Sequence, residues 1–242
     1  MNSGKNLDFI LKNWSYDADN ICVRLVKGCD GRDLIQVRVD LGILQLETTG
    51  RPDGLKPEGF DTLLECLCHD ELEDPDFELD DDTCMEIDRE FVQYYHRRIA
   101  WLRLQYFDRA IQDADHTLAL MDFCREHSPD EDWTLRHEQH RAFVIFHRTQ
   151  AAALGAMEDQ NAERAVDEIA AGLDQIRENF SEMGWDEHFE SDELVQRLVQ
   201  FRDSLRDDYS ISLREQLDEA VAAEQYELAA RLRDEITRRT GS

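Results

Sequence analysis

The last thirty residues carry apolar side chains at helical spacing in two short segments. Leu213, Leu217 and Val221 occupy the i, i+4 and i+8 positions of one helical stripe. Ser212, followed three residues later by Glu215, forms a capping box. The first of the two segments is therefore predicted to be a helix that begins at Leu213.

The second segment has a wider apolar face than a hairpin partner can cover. A helix starting near Gln225 has an apolar arc of about 200°, at roughly 100° per residue. The residues on this arc are Tyr226, Leu228, Ala229, Ala230, Leu232 and Ile236. Helices of about 11–12 residues are also marginal alone in water. The surplus face either docks on a separate protein or another copy of the hairpin, or it closes the fold of this chain.

These two segments resemble the UVR motif, the helical hairpin by which excision-repair subunits of the UvrB and UvrC type contact each other. The matching residues are Leu213, Leu217, Ala220, Tyr226, Glu227, Ala229, Ala230, Leu232, Arg233, Asp234 and Ile236. The resemblance implies a docking device and no chemistry. The residues expected to contact the partner are Leu217, Val221, Tyr226, Leu228, Leu232 and Arg233.

The chain is strongly acidic, with a formal net charge of −28. Such a charge repels phosphate backbones and argues against a broad nucleic-acid surface. It is unevenly spread, since residues 70–90 hold twelve acids against one base, Arg89. From Ile211 to the end there are five arginines and seven acids, a net of −2. The low charge of this segment suits a docking role.

The sequence favours a cytoplasmic protein. Its beginning is polar and lacks the apolar core of a signal peptide. No apolar run approaches the length of a membrane span, so we expect no membrane partner. The six cysteines are therefore expected to be reduced thiols.

Residues 1–69 are predicted to form a small α+β domain. Apolar and polar residues alternate over residues 21–26 and 34–40, and Asp30-Gly31 is a hairpin turn signal between them. With residues 43–47, these segments predict a three-stranded antiparallel sheet with one polar face.

A helix over Pro57 to His69 is expected to cover this sheet. The run from Val37 to Gly54 also resembles the opening of uncharacterised bacterial proteins that carry a UVR motif at their other end. Residues 70–85 are predicted to be an exposed, mobile acidic linker.

Residues 86–209 show helical spacing throughout and predict a TPR-like array. A first unit places its aromatic and small residues at Tyr94, Trp101, Phe107, Ala110, Ala114 and Thr117. Arg98 departs from the pattern, because the repeat requires a small residue there. A weaker second unit uses Ala153, Ala156, Ala162, Ala165, Ile169 and Gly172. A plain helical bundle is the alternative.

Two further helices are expected before the terminal hairpin of residues 210–242. Ser128 as cap and Pro129 in the first turn predict one long helix to about Met157. Ser191-Asp-Glu193 predicts the start of the other. Its stripe consists of Leu194, Leu198, Phe201 and Leu205. The fold class is thus mainly α, with a small N-terminal α+β part and a C-terminal helical hairpin.

No cluster in the sequence predicts a metal, a cofactor or a catalytic site. Cys66 and Cys68 beside His69 lack the paired spacing of zinc ligands, and we interpret them as buried structural cysteines. His137, His140 and His147 are interpreted as surface residues of the long helix. Asp80-Asp81-Asp82 lacks the remaining ligands of a calcium loop. Phosphate-loop, dinucleotide-fold and nucleophile-elbow motifs are absent from the sequence.

These patterns predict a non-enzymatic cytoplasmic adaptor. The hairpin of residues 210–242 would bind a protein partner or a second copy of the chain, and the helical array would bind another partner. The alternative is an accessory factor of UvrABC-type nucleotide-excision repair that meets DNA. It is suggested by the resemblance and by four arginines near the terminus, Arg231, Arg233, Arg238 and Arg239.

Overall fold

The computed structural model describes residues 7–74, 76–128, 130–223 and 225–240. Side chains are described throughout except at 207–212, 214, 215, 235 and 238–240. The chain divides into two compact units, Met1–Ala151 and Ala152–Ser242, and each is taken by itself below. The division falls inside the segment predicted as the TPR-like domain.

The first unit contains a three-stranded antiparallel sheet in the order β1–β2–β3, as predicted. The strands are β1 (Cys22–Lys27), β2 (Asp33–Val39) and β3 (Gly42–Glu47). Gly31 occupies the turn before β2 with a φ of +87°, a conformation that glycine adopts readily. Leu25 pairs with Ile35, which in turn pairs with Leu46 across the sheet.

The polar face of the sheet is partly covered. Gln36 in the central strand is only 9% exposed. Its amide accepts from Arg24 and donates to Gln45 Oε1 at 3.0 Å, which makes a ladder across all three strands. The Arg24 guanidinium lies 4.1 Å from the centroid of the Trp14 ring, which follows helix α1 (Asp8–Asn13). The polar side chains are therefore bonded to each other under an aromatic ring.

The helix predicted for Pro57–His69 is displaced along the chain. Pro57–Gly59 forms a 3-10 turn, and helix α2 extends over Leu63–Glu73. Gly59 has a φ of +96°, which interrupts a right-handed helix, and Phe60 is extended. The Thr62 side chain then accepts from Glu65 N at 3.1 Å and caps α2.

The connection after α2 is shorter than the predicted acidic linker of 70–85. Residues 70–73 belong to α2, and helix α3 (Asp81–Leu104) begins at residue 81. Asp80 caps α3 by accepting from Thr83 N at 2.8 Å. Between the helices Leu79 is 2% exposed, and its N–H donates to His127 O at 3.2 Å. Burial of Leu79 ties this acidic segment to the core.

Helices α3 and α4 (Phe107–His127) form a hairpin with a two-residue turn. Gln105 makes this turn with a φ of +63°. The positions that suggested a first repeat are all buried, namely Tyr94, Trp101, Phe107, Ala110, Ala114 and Thr117. The positions are thus core positions, and the TPR-like arrangement itself stays a prediction.

The single helix predicted from Pro129 to Met157 is two helices, α5 (Glu131–Glu138) and α6 (Arg141–Glu158). His140 N donates to His137 O at 2.8 Å, a tight turn that ends α5. Asp130 caps α5 by accepting from Asp132 N at 2.9 Å, in place of the predicted Ser128. Pro129 lies outside the described residues. Helix α6 contains the division between the two units.

The second unit is helical where it is described. It contains α7 (Ala162–Glu182), a 3-10 turn at Asp186–Ser191, α8 (Glu193–Ala222) and α9 (Tyr226–Thr240). Asp192 caps α8 by accepting from Leu194 N and Val195 N. Core side chains of this unit include Ala165, Ile169, Ile176, Phe180, Phe189 and Val195. No helix in the described parts of the chain is long and apolar enough to cross a membrane.

The prediction that a helix begins at Leu213 is wrong, because α8 is continuous from Glu193 to Ala222. Leu198 and Leu205 of the predicted stripe are buried, and Leu213 and Ala220 are buried further along the same helix. The buried stripe thus continues from the helix predicted at Ser191 into the helix predicted at Leu213, and a single helix accounts for both. The prediction of a second helix near Gln225 is confirmed by α9.

A buried ion pair joins the parts of the first unit. Arg97 is 4% exposed and donates from Nη2 to Asp113 Oδ1 at 2.8 Å and from Nε to Asp113 Oδ2 at 2.9 Å. Its Nη1 donates to Gly50 O at 2.7 Å and to Glu47 O at 3.2 Å. Burial alone lowers the pKa of Arg97, but its hydrogen bonds to Asp113 raise that pKa above the ordinary value.

Substituting Arg97→Met is expected to destabilise the protein by about 3–5 kcal/mol, because it leaves the Asp113 carboxylate buried without its partner. Urea unfolding followed by circular dichroism measures the change. The control is Arg89→Met on the same helix, whose exposed pair with Glu86 contributes at most about 1 kcal/mol. Equal effects of the two substitutions would contradict the assignment.

Candidate docking hairpin

The hairpin consists of the end of α8, a chain reversal after Ala222, and α9. Ala223 N donates to Glu219 O at 2.9 Å, and Gln225 N donates to Ala220 O at 2.8 Å. Ala229 N then donates to Gln225 O at 3.0 Å in the first turn of α9. These bonds reverse the chain and set α9 beside α8.

Small residues are buried in the hairpin. Ala220 in α8 is 3% exposed and Ala229 in α9 is 8% exposed. Leu213 is also buried, whereas Leu217 and Leu232 are half-buried. Because alanine side chains are small, the two helix backbones can approach closely at these positions. Part of the predicted apolar arc is therefore used inside the second unit.

The rest of the apolar surface is exposed near the turn. Val221 is 52% exposed, Tyr226 is 70% exposed and Leu228 is 44% exposed. We call these three residues the turn cluster. The three lie within eight residues of the chain around the turn, and apolar side chains that an interaction motif leaves in solvent offer area to a partner. The structure thus divides the six predicted contact residues into an exposed turn cluster, the half-buried Leu217 and Leu232, and Arg233.

Arg233 is exposed and bonded to its neighbour. Its Nη2 donates to Asp234 Oδ1 at 2.9 Å, and its Nε donates to the same oxygen at 3.1 Å. Arg233 was predicted as a contact residue only from the resemblance to the UVR motif, and that resemblance does not show its ion pair with Asp234. A partner that binds Arg233 must exchange that exposed ion pair for its own. The contact role of all six residues stays a prediction.

The cysteine and histidine interpretations are corrected in part. Cys66 is buried as predicted, but Cys68 and His69 are exposed. His147 was predicted on the surface, yet it is 8% exposed and its Nδ1 accepts from Arg98 Nε at 3.4 Å. His137 is half-buried, stacks on Phe91 with ring centroids 4.3 Å apart and bonds to Asp88. The helical period could not show which side of its helix each histidine lies on, because it predicted one long helix that contained both His137 and His147.

One group of potential metal ligands lies at the start of α2. Single ligand atoms of Glu58, Cys66 and Asp70 all lie within 4.8 Å of one another. Burial, together with repulsion from the nearby Asp70, raises the pKa of the Cys66 thiol to about 11. The thiol donates to Asp70 Oδ2 at 3.8 Å. The protonated thiol is therefore held as a hydrogen-bond donor, whereas a metal ligand must be a thiolate.

Cys66 is expected to react with iodoacetamide far more slowly than the exposed Cys29, because burial and the raised pKa both suppress its thiolate at about pH 8. Mass spectrometry of timed labelling reactions gives both rates. In urea the difference should disappear. Equal rates in the folded protein would contradict the burial of Cys66.

Substituting Ala229→Leu is expected to destabilise the protein by about 1–3 kcal/mol, because the larger side chain must fit a buried position. The matched control is Ala222→Leu at the end of α8, which is exposed. Thermal unfolding measured by circular dichroism distinguishes the two. A neutral Ala229→Leu would show that the two helices do not pack closely there.

Comparison with known proteins identifies this hairpin. The family described as the UvrB/uvrC motif, UVR, matches residues 211–238. The matched segment includes the end of α8, the turn cluster and nearly all of α9. Neither the curated proteins nor the solved structures include a match to the chain. The UVR motif is a protein-interaction motif found in UvrB and UvrC, and this chain is a UVR-motif-containing protein.

Proposed function

We propose that the protein is a non-enzymatic cytoplasmic adaptor that binds a protein partner through its UVR hairpin. The observation that carries the proposal is the turn cluster, which exposes Val221, Tyr226 and Leu228 within the matched motif. An interaction motif that leaves three apolar side chains 44–70% exposed has surface available for a partner. Burial of apolar area is the main driving force for protein association.

The chemistry of the turn cluster fits the centre of an interface. Tyrosine is enriched among the residues that dominate binding energy, and Tyr226 is the most exposed member of the cluster. Val221 lies in α8 and Leu228 lies in α9, so each helix of the hairpin carries an exposed apolar side chain beside the turn. The partner surface expected from this composition is an apolar groove or a second amphipathic hairpin.

Charge supports docking at this place over other parts of the chain. The segment from Ile211 onward has a net charge of −2, whereas the whole chain has −28. Two copies, or a copy and another acidic protein, repel each other least where each carries the least charge. Association through the hairpin therefore avoids most of the repulsion that the acidic body would impose.

The absence of a catalytic role is also part of the proposal. Buried carboxylates of the first unit are engaged in structural bonds, which hold them in place. Glu90 accepts from Leu63 N at 3.1 Å and bonds to His116 Nε2 at 2.9 Å. Asp113 is occupied by Arg97. Groups with full sets of structural partners are poorly placed to exchange protons with a substrate.

The body would supply a second contact surface. Helices α3 and α4 form an antiparallel hairpin with buried alanines at Ala110 and Ala114. Stacked helical hairpins of this kind present side chains to partners in repeat proteins. This part of the adaptor proposal depends on the TPR-like interpretation of residues 86–209.

The decisive variant replaces the turn cluster in the full-length protein, as Val221→Ser, Tyr226→Ser and Leu228→Ser together. We expect partner binding or self-association to weaken by at least about a hundredfold, since each anchor of this kind contributes about 1–2 kcal/mol or more. Light scattering measures self-association, and crosslinking in cells followed by mass spectrometry identifies other partners.

A matched control removes three exposed apolar side chains elsewhere. Leu41 is 90% exposed, Leu72 is 84% exposed and Met85 is 60% exposed, all in the first unit. Their joint replacement by serine should leave the mass and the partners unchanged. If the turn-cluster variant keeps the same partners and the same mass as this control, docking through the hairpin is refuted.

A second candidate is an accessory role in UvrABC-type excision repair, which the family match favours. The net charge of −28 opposes a DNA surface. Arg231 is exposed and Arg233 is bonded to Asp234, while the side chains of Arg238 and Arg239 lie outside the described part. Salt-dependent binding of a short duplex to the full chain, lost on replacing Arg231 by glutamine, would favour this role over the first.

A further inference from the structure

A cavity of about 510 Å³ lies in the first unit, between α3, α4, α5 and the start of α6. Its volume is within the range of about 300–1,000 Å³ that small-molecule sites occupy. The apolar and aromatic residues that line it include Phe91, Val92, Tyr95, Met121, Trp133 and Val144. Val92 is 56% exposed and Tyr95 is 37% exposed, so these two mark the opening.

A buried cation lies in the wall of this cavity. Arg98 is 1% exposed and lines the cavity together with Thr117. Its Nη1 donates to Thr117 Oγ1 at 2.9 Å, and its Nε donates to His147 Nδ1 at 3.4 Å. Neither acceptor is a carboxylate. Among the residues that the structure describes, no carboxylate forms an ion pair with Arg98.

The neighbouring arginine shows how unusual this is. Arg97 is equally buried but has both oxygens of Asp113 within hydrogen-bond distance. Burial lowers the pKa of Arg98 to about 10, which still leaves the guanidinium protonated at neutral pH. Asp113, which is bonded to Arg97, attracts the Arg98 guanidinium without a hydrogen bond to it. A ligand carboxylate in the cavity would give this buried charge a direct partner.

The two ends of the cavity differ electrostatically. Asp88 and Arg98 are ten residues apart on α3, which separates them by about 15 Å along the helix axis. The Asp88 carboxylate accepts from Trp133 Nε1 at 3.0 Å and bonds to His137 Nε2 at 2.8 Å. Asp88 thus bonds directly to two side chains at its own end, whereas Arg98 has no direct hydrogen bond to a carboxylate among the described residues.

We propose that this cavity binds a small organic carboxylate, whose anionic head pairs with Arg98 and whose apolar body packs against Met121, Trp133 and Val144. A planar guanidinium matches a carboxylate in a charge-assisted, bidentate arrangement. The ligand would enter between Val92 and Tyr95. This inference is independent of the UVR hairpin.

A monocarboxylate fits the charge better than a phosphate ester does. The lining holds a buried guanidinium, Arg98, and an exposed one, Arg136, which is next in sequence to the His137 that bonds to Asp88. One buried cation therefore faces the head group, and a single negative charge matches it. The aromatic and aliphatic lining suits a body of one ring or a short branched chain. A longer peptide would have to leave the cavity through the opening, so its affinity would depend on residues outside the lining.

Calorimetry with the full-length protein tests the proposal with 3-phenylpropionate as the probe. We expect one site per chain with a dissociation constant below about 1 mM. The uncharged amide of the same acid has the same body and should bind at least about tenfold more weakly, since it lacks the charge-assisted bond. Phenyl phosphate should also bind more weakly than the carboxylate.

Two variants keep the test independent of folding. Arg98→Met should weaken binding of 3-phenylpropionate at least about tenfold, while circular dichroism shows an unchanged fold. Val92→Trp fills the opening from an exposed position and should also weaken binding. The matched control Arg89→Met removes an exposed arginine of the same helix outside the cavity and should bind as the parent does.

The results that would overturn the proposal are distinct. They are no heat of binding up to about 1 mM carboxylate, equal affinity for the acid and its amide, or an affinity that Arg98→Met leaves unchanged. A preference for phenyl phosphate would overturn the assignment of a carboxylate head. If Arg98→Met loses its fold, Val92→Trp and the amide comparison still decide the question.

Discussion

The first unit depends on one buried guanidinium. Arg97 lies in α3, pairs with Asp113 in α4 and donates to the carbonyl oxygens of Glu47 and Gly50 at the end of the sheet. A buried cation must satisfy most of its five donors, so the helical hairpin and the strand end have to meet at this point. The sheet and helices α3 and α4 are thereby held as one unit, although the sequence pattern suggested two domains with a linker.

Local sequence patterns predicted which strands and helices form better than they predicted where those strands and helices begin and end. Alternation predicted all three strands, because the period of two is a property of the strand itself. The break at Gly59 and the joined helix at Leu213 were missed. The capping box at Ser212 predicts a helix start, whereas the buried stripe through Leu205 and Leu213 favours one continuous helix. The continuous helix forms because the stripe is packed against the rest of the unit, and a local motif carries no information about that packing.

The candidate sites were likewise only partly predictable from the sequence. The resemblance at residues 211–238 was visible in the sequence, but only the structure shows that Ala229 is buried and Tyr226 exposed. Arg98 was recognisable as a departure from the repeat pattern. Its consequence was not, because the cavity is made by residues far apart in the chain, such as Thr117 and Trp133. Adjacent arginines with opposite surroundings cannot be distinguished by composition or period.

Because α8 is continuous, the direction in which the UVR motif faces around the helix axis depends on the whole length of α8. Leu198, Leu205, Leu213 and Ala220 are buried at intervals of seven, eight and seven residues, so one face stays in register over a helix about 45 Å long. A single residue inserted between Leu205 and Leu213 would rotate the turn cluster by about 100° relative to the start of the helix. The length of α8 therefore sets the direction in which the turn cluster faces. Insertions or deletions in α8 would change that direction even at positions where no side chain touches a partner.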